Sequence, residues 1–242
     1  MKNKVIYLFS LITIGCCLIA CDDDNTIEAS EGTTERSFSF SDYSGVSIEG
    51  AFKADITFSE TEESIIVESN DNLQNKIVVQ KEGNLLRFDL AKDTGVRGDI
   101  VLKAHIKTKS LSYFKADGVS DITLKNKLSA PISEIDISGS SNFYGEIDVD
   151  TLRLNISGTS DVDIYGRAHL LQASLSTSSD LKDYDFAVDK LEIDLKGACE
   201  SYLTVNEQID IEASGTSTLN YKGSASILNQ NLSGVAKINK KD

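Results

Sequence analysis

The sequence predicts an all-β chain, a β-solenoid (β-helix) of coils about 19 residues long behind a β-rich N-terminal head. Three observations carry that expectation: a short motif returns once per coil, apolar residues alternate around it, and no window shows a helical apolar stripe. The motif is a four-residue corner, read at Asp117-Gly118-Val119-Ser120, Ser138-Gly139-Ser140-Ser141, Ser157-Gly158-Thr159-Ser160, Ser176-Thr177-Ser178-Ser179, Lys196-Gly197-Ala198-Cys199, Ser214-Gly215-Thr216-Ser217 and Ser233-Gly234-Val235-Ala236. Steps between successive second residues are 21, 19, 19, 20, 18 and 19. A unit this short cannot close a core alone, but stacked copies can.

The residues around the corner show how the coils stack. Apolar side chains stand four and two places before it, as in Phe114 and Ala116, Ile135 and Ile137, Leu154 and Ile156, and Ile193 and Leu195. Others follow four or six places after it, as in Ile122 and Leu124, Val162 and Ile164, Leu181, Leu203 and Leu219. This is the period-two pattern of strands with one face inside. Glycine recurs at Gly118, Gly139, Gly158, Gly197, Gly215 and Gly234 because a sharp change of direction needs φ above zero or leaves no room for a Cβ. Thr177 departs from that rule, and its corner is expected to be wider. The same apolar ladders should supply most of the stability, so a charge at Ile156 or Leu195 should unfold several coils together.

Ahead of the repeats, residues 36–110 alternate as Val46, Ile48, then Phe52, Ala54, Ile56, Phe58, then Ile77, Val79, then Leu86, Phe88, Leu90. They read as an all-β head, with turns at Asn70-Asp71-Asn72 and Glu82-Gly83-Asn84. Head and solenoid repeats (111–242) are expected to form one continuous unit. A solenoid has two open sheet ends that invite unwanted pairing. The head should cover one, and Lys237, Lys240, Lys241 and Asp242 place charge at the other.

Residues 1–20 have the form of a secretory leader, with Lys2 and Lys4 before an apolar run from Val5 to Leu18. That run is shorter than the roughly 20 residues a membrane-crossing helix needs. It ends in Leu18-Ile19-Ala20-Cys21, which resembles the lipobox of bacterial lipoproteins, so cleavage and lipidation are expected at Cys21. A lipid of two or three acyl chains would hold the chain on a membrane. Residues 21–35 read as a flexible tether. Its opening acids Asp22, Asp23 and Asp24 resemble the surface-export signal of some Gram-negative lipoproteins. The expected location is therefore the outer membrane, exposed at the cell surface; a periplasm-facing protein is the alternative.

Removal of the leader would leave Cys21 for lipid and Cys199 alone, so no internal disulfide can form despite an oxidising destination. Losing Lys2 and Lys4 takes the formal charge from −14 to −16. A surface this acidic repels nucleic acid and leaves cations, basic proteins or neutral glycans as partners.

The segment Val46-Ser47-Ile48-Glu49-Gly50-Ala51-Phe52, the pieces Asp71-Asn72-Leu73 and Gly83-Asn84-Leu85, the Ser-Gly-x-Ser corners and Tyr221-Lys222-Gly223 occur in an order that resembles the head GIN domain family of auto-transporter adhesins. The likeness covers Val46 to Ile238. It implies a right-handed β-solenoid in lipoproteins of Gram-negative bacteria and brings no catalytic residues. Thr177 and Cys199 depart from its pattern.

Chemistry is sparse. His105 and His169 form no metal-spaced pair, and no G-x-S-x-G elbow occurs. Corner serines are expected to close turns through hydroxyl-to-backbone bonds. A glycan-cleaving β-helix would need two facing carboxylates, and Asp161 with Asp163, Asp183 with Asp185, and Asp148 with Asp150 are the candidates. Asp161 and Asp163 flank the inward Val162 and so belong on a solvated face. The calcium-binding G-G-x-G-x-D repeat is absent, and neither a metal nor a cofactor is expected. Cys199 takes a serine's corner place and is expected to pack as a small residue. Tyr144, Tyr165, Tyr184, Tyr202 and Tyr221 recur once per coil after the corner; a row of exposed rings could stack on sugars or grip a protein. The reading is a non-catalytic, lipid-anchored envelope protein with adhesin-like binding of glycan or protein through its solenoid surface. A polysaccharide-cleaving enzyme and an envelope assembly or maintenance factor are the rivals.

Overall fold

The computed structural model describes residues 26–242. The leader, Cys21 and Asp22–Asp24 lie outside the described residues. Coils of about 19 residues stack into a β-solenoid of roughly seven turns, and one 18-stranded sheet runs through it. The strands pair in parallel, each residue opposite its counterpart one coil away, as in Ile135↔Leu154, Leu154↔Ala173, Ala173↔Ile193 and Ile193↔Ile211. Long strands such as Asn142–Ile156 and Asp161–Thr177 wrap from one corner toward the next. Inward positions form one continuous apolar cluster from Val46 to Ala225, with Phe52, Phe88, Phe114, Phe143 and Phe186 as its largest side chains.

The corner is a ladder of its own. In each coil the N–H after the glycine donates to the glycine carbonyl one coil back, from Val119 to Gly50 at 2.6 Å through Val235 to Gly215 at 2.8 Å. Gly158 shows why the Cβ is missing: its φ is +82°, and an added Cβ would sit 2.2 Å from the Gly139 oxygen. Thr177 keeps the same left-handed turn with φ +73°. Its coil keeps the ladder bond, 3.0 Å from the Ser178 N–H to the Gly158 carbonyl.

Two residues past each glycine a buried small side chain fills the inside of the corner: Ser120, Ser141, Ser160, Ser179, Cys199 and Ser217. Ser120, Ser179 and Ser217 donate their hydroxyls to the carbonyl three residues earlier, closing the turn. The Cys199 thiol points to the equivalent Lys196 carbonyl at 3.4 Å, so the cysteine packs where a serine would.

The repeat begins earlier than the sequence motif suggests. Gly45–Ile48 and Lys53–Phe58 flank a corner at Gly50, and they pair in parallel with Tyr113–Ala116 and Asp121–Leu124. The chain then leaves the stack and returns to lay Leu85–Leu90 and Leu102–Thr108 against the other edges of those two strands. Antiparallel strands close this end: Ile77–Glu82 on one side, Ser64–Asn70 and then Thr33–Phe38 on the other. With Thr26–Glu28 paired to Gly95–Arg97, the described part of the stretch read as a flexible tether is held against the head by strand pairing. The stretch read as an Asn70-Asp71-Asn72 turn is a 3-10 helix, Asp71–Lys76. Asn70 ahead of it is buried with its amide fully used, donating to the Ser30 and Asp99 carbonyls and accepting from the Val101 N–H. Such satisfaction is what lets a buried amide stabilise a crossing of segments.

Candidate functional site

Coil length varies away from the glycine corner. In the first full coil two additional residues enter at Lys125–Lys127: Asp121 pairs with Asn142, 21 residues on, while Leu128 pairs with Ile147, 19 on. Further along, Asp183, Tyr184 and Asp185 form a turn between the strands Asp180–Lys182 and Phe186–Gly197, with Asp183 at φ +79°. Asp183 and Asp185 are therefore loop residues, not neighbours on a strand face. The backbone has slack to bulge at this bend, and the tyrosines stand on it.

Tyr144 and Tyr165, on adjacent coils, are 46% and 36% exposed, with ring centroids 5.9 Å apart at a tilt of 49°. Register explains the diagonal: Tyr144 pairs with Asp163, and Tyr165 with Glu146. On the next two coils Tyr184 and Tyr202 meet edge to face at 5.6 Å. The Lys222 ammonium lies 4.9 Å from the Tyr184 centroid, a cation–π contact that steadies the ring. Tyr202 donates its hydroxyl to Glu200; that bond, helped by burial and the carboxylate charge, pushes the phenol up to about 12. Four coils thus contribute four rings to one side of the solenoid.

Tyr221 does not join them. It pairs with the inward Leu203 and is 5% exposed, part of the core. Its spacing accounts for the difference: six residues after Gly215 is an even, inward position, whereas the other four stand five or seven after their corner residues.

Between the two tyrosine pairs lies Asp163. Burial raises its pKa, the charges of Asp183 and Asp185 raise it further, and Lys182 opposes them. Of the other carboxylates proposed as catalytic candidates, Asp161 and Asp148 are ion-paired. Asp161 meets Lys182. Asp148 accepts from the Arg167 Nε at 2.9 Å, with Lys127 at 3.7 Å, and these cations hold its carboxyl below the usual range. The histidines lie apart: His169 Nδ1 faces Asp189 at 3.0 Å, while His105 lies about 4 Å from Asp55 and Glu68. Among the described residues no group of three or more His, Cys, Asp or Glu side chains could hold a metal ion.

A second surface feature lies before the corner. Outward side chains there form an open trough of about 700 Å³ bounded by Arg153, Gln172, Glu192, Asp194, Asp210 and Glu212. These occupy positions three and five before each corner residue, so the alignment that revealed the inward ladder also contained this outward one. Attention to apolar positions alone passed over it. Neighbouring coils are tied by its side chains, with Gln172 donating to Glu192 and Asn229 to Asp210.

Fold and surface together define a β-solenoid scaffold that presents repeated side chains along its length. The family model described as "Putative auto-transporter adhesin, head GIN domain" matches residues 42–225, and the chain belongs to that family. Among solved structures, it is similar to a "putative adhesin" from Bacteroides fragilis NCTC 9343, at 21% identity and a TM-score of 0.80 over 89% of this chain and 100% of that one. It is also similar to a "putative lipid binding protein" from Parabacteroides distasonis ATCC 8503, at 19% identity and a TM-score of 0.76 over 90% and 100% of the two chains. A third, a "putative adhesin" from Parabacteroides merdae ATCC 43184, has 16% identity and a TM-score of 0.72 over 90% and 100%. At such identities the likeness is one of fold. No curated protein matches the chain.

Proposed function

We propose that this chain is a non-catalytic, lipid-anchored cell-envelope protein that binds glycan or protein through the tyrosine-bearing side of its solenoid. The observation that carries the reading is the run of Tyr144, Tyr165, Tyr184 and Tyr202 on four successive coils, paired at 5.9 and 5.6 Å. Tyrosine supplies a large, stiff contact surface with a polar tip, which suits stacking on a sugar ring or anchoring a protein. The spacing of coils, about 4.8 Å, repeats that contact along an extended ligand. The acids around the rings, Glu146, Asp163, Asp183 and Asp185, disfavour anionic ligands.

Membership of an adhesin family supports a binding role and a place at the cell surface. Anchoring at Cys21 and export directed by Asp22–Asp24 belong to the same proposal, and among the described residues no helix is long and apolar enough to cross a membrane. The experiment is a glycan array together with pull-down from cell-surface extracts, using the full chain and a Tyr144→Ala, Tyr202→Ala double variant. A ligand held by the first and released by the second supports the reading; retention unchanged by the variant sinks it. Protease shaving of intact cells tests exposure, since a protected chain is not a surface adhesin.

A further inference from the structure

The two ends of the stack are finished differently. At the head end the edge strands Thr33–Phe38 and Ile77–Glu82 carry Glu35, Arg36, Lys81 and Glu82, and charge on an edge discourages strand addition. At the other end Ser226–Leu232 pairs on one edge only, with Glu200–Gly215. It is exposed throughout and contains neither a charge nor a proline. Its inward positions are Ile227, Gln230 and Leu232; Ile227 and Leu232 are 36% and 39% exposed, while the counterparts of all three one coil back, Ile209, Ile211 and Ala213, are buried. Leu228 and Val235 beside them are 55% and 62% exposed. The cross-section of the core is open here.

The polar positions change at the same coil. Asp210 and Glu212 stand in register with Asn229 and Asn231, so two acids give way to two amides where the stack ends. In a chain of formal charge −14, this removes the like-charge repulsion that would otherwise keep two such ends apart.

We propose that the occupant is a second copy of this chain, joined tail to tail about a two-fold axis. Ser226–Leu232 would lie antiparallel to its counterpart, with Ile227 of each copy opposite Leu232 of the other. A two-fold arrangement uses one self-complementary patch and closes on itself, and antiparallel edges pair directly. The charged edges of the head end lack the open apolar core needed for the same contact. The axis passes through the side of the coil bearing Ser226–Leu232. The lysines of Lys237–Lys240, on another side, consequently do not face their own counterparts.

The test is sedimentation equilibrium of the full chain in density-matched detergent up to about 100 µM, a range that reads dissociation constants of the micromolar class. A dimer is expected. An Asn231→Glu variant, which restores one acid of the preceding coil while leaving the core and the Asn229–Asp210 hydrogen bond in place, should weaken it at least tenfold with cooperative melting retained; Leu232→Lys should abolish it. A monomer throughout the range overturns the proposal. So does a dimer indifferent to both variants, or a series of larger species growing with concentration, the mark of non-closing contacts.

Discussion

The glycine corner and the bend on the far side of each coil face the same stacking problem and answer it differently. At the corner, backbone rests on backbone: the Gly158 Cα faces the Gly139 oxygen so closely that a Cβ would fall 2.2 Å from it. Glycine suits that contact best, with Thr177 the exception, and the motif therefore recurs coil after coil. At the bend, insertions such as Lys125–Lys127 and Asp183–Asp185 swing outward without disturbing the stack, because loop closure costs little per added residue. The tyrosines and the crowded Asp163 grow from the permissive side. Constraint produces the repeat, and freedom from constraint leaves room for a binding surface.

The harshest way to break this comparison bypasses both turns. Ile156 lies in the ladder between Ile137 and Leu175, and Ile156→Asp buries an unpaired charge at a cost of at least about 4 kcal/mol. Loss of the cooperative melting transition over several coils, followed by circular dichroism, is expected. Next comes the corner itself: Gly158→Ala combines a left-handed backbone with a carbonyl clash and should cost about 3 kcal/mol, a melting point lower by about 6–12 °C.

Thr177 provides the reverse experiment. Its φ of +73° is strained for a β-branched residue, so Thr177→Gly should raise the melting temperature by about 2–4 °C, corresponding to roughly 1 kcal/mol. The bend is expected to be indifferent by comparison. Two residues inserted between Asn126 and Lys127 should cost less than about 1 kcal/mol, whereas the same insertion after Ser157 should be at least as damaging as Gly158→Ala. Equal damage at the two places would dissolve the distinction.

The mildest test is a pH dependence. Burial, Asp183 and Asp185 raise the Asp163 pKa in the folded chain. A carboxyl with a raised folded pKa binds its proton more tightly folded than unfolded, so stability falls as pH rises from the unfolded value, about 3.9, through the folded one. Asp163→Asn removes that penalty. The variant should melt about a degree higher at pH 7 and together with the parent chain below pH about 4; an offset persisting at low pH would assign the effect to packing.

Much of this was legible in the residues. The corners, the inward alternation and the packing role of Cys199 follow from spacing and side-chain size. Tyr221 was legible too: its even distance from Gly215 places it inside, and counting rings per coil without counting parity hid this. The coil at Gly50 was not visible as a repeat, because 68 residues separate Gly50 from Gly118 in the chain. Chain order does not disclose that Leu85–Leu90 returns beneath Gly45–Ile48.

By itself the sequence determined that aliphatic residues would line the inside of a stack of short coils and that glycine would mark its bends, since both follow from local alternation and backbone sterics. Only the tertiary structure decided which coil lies against which, which tyrosines share a side, and which acids have a cation beside them. Those outcomes depend on register between segments about 19 or more residues apart, and register is set by the packed core as a whole.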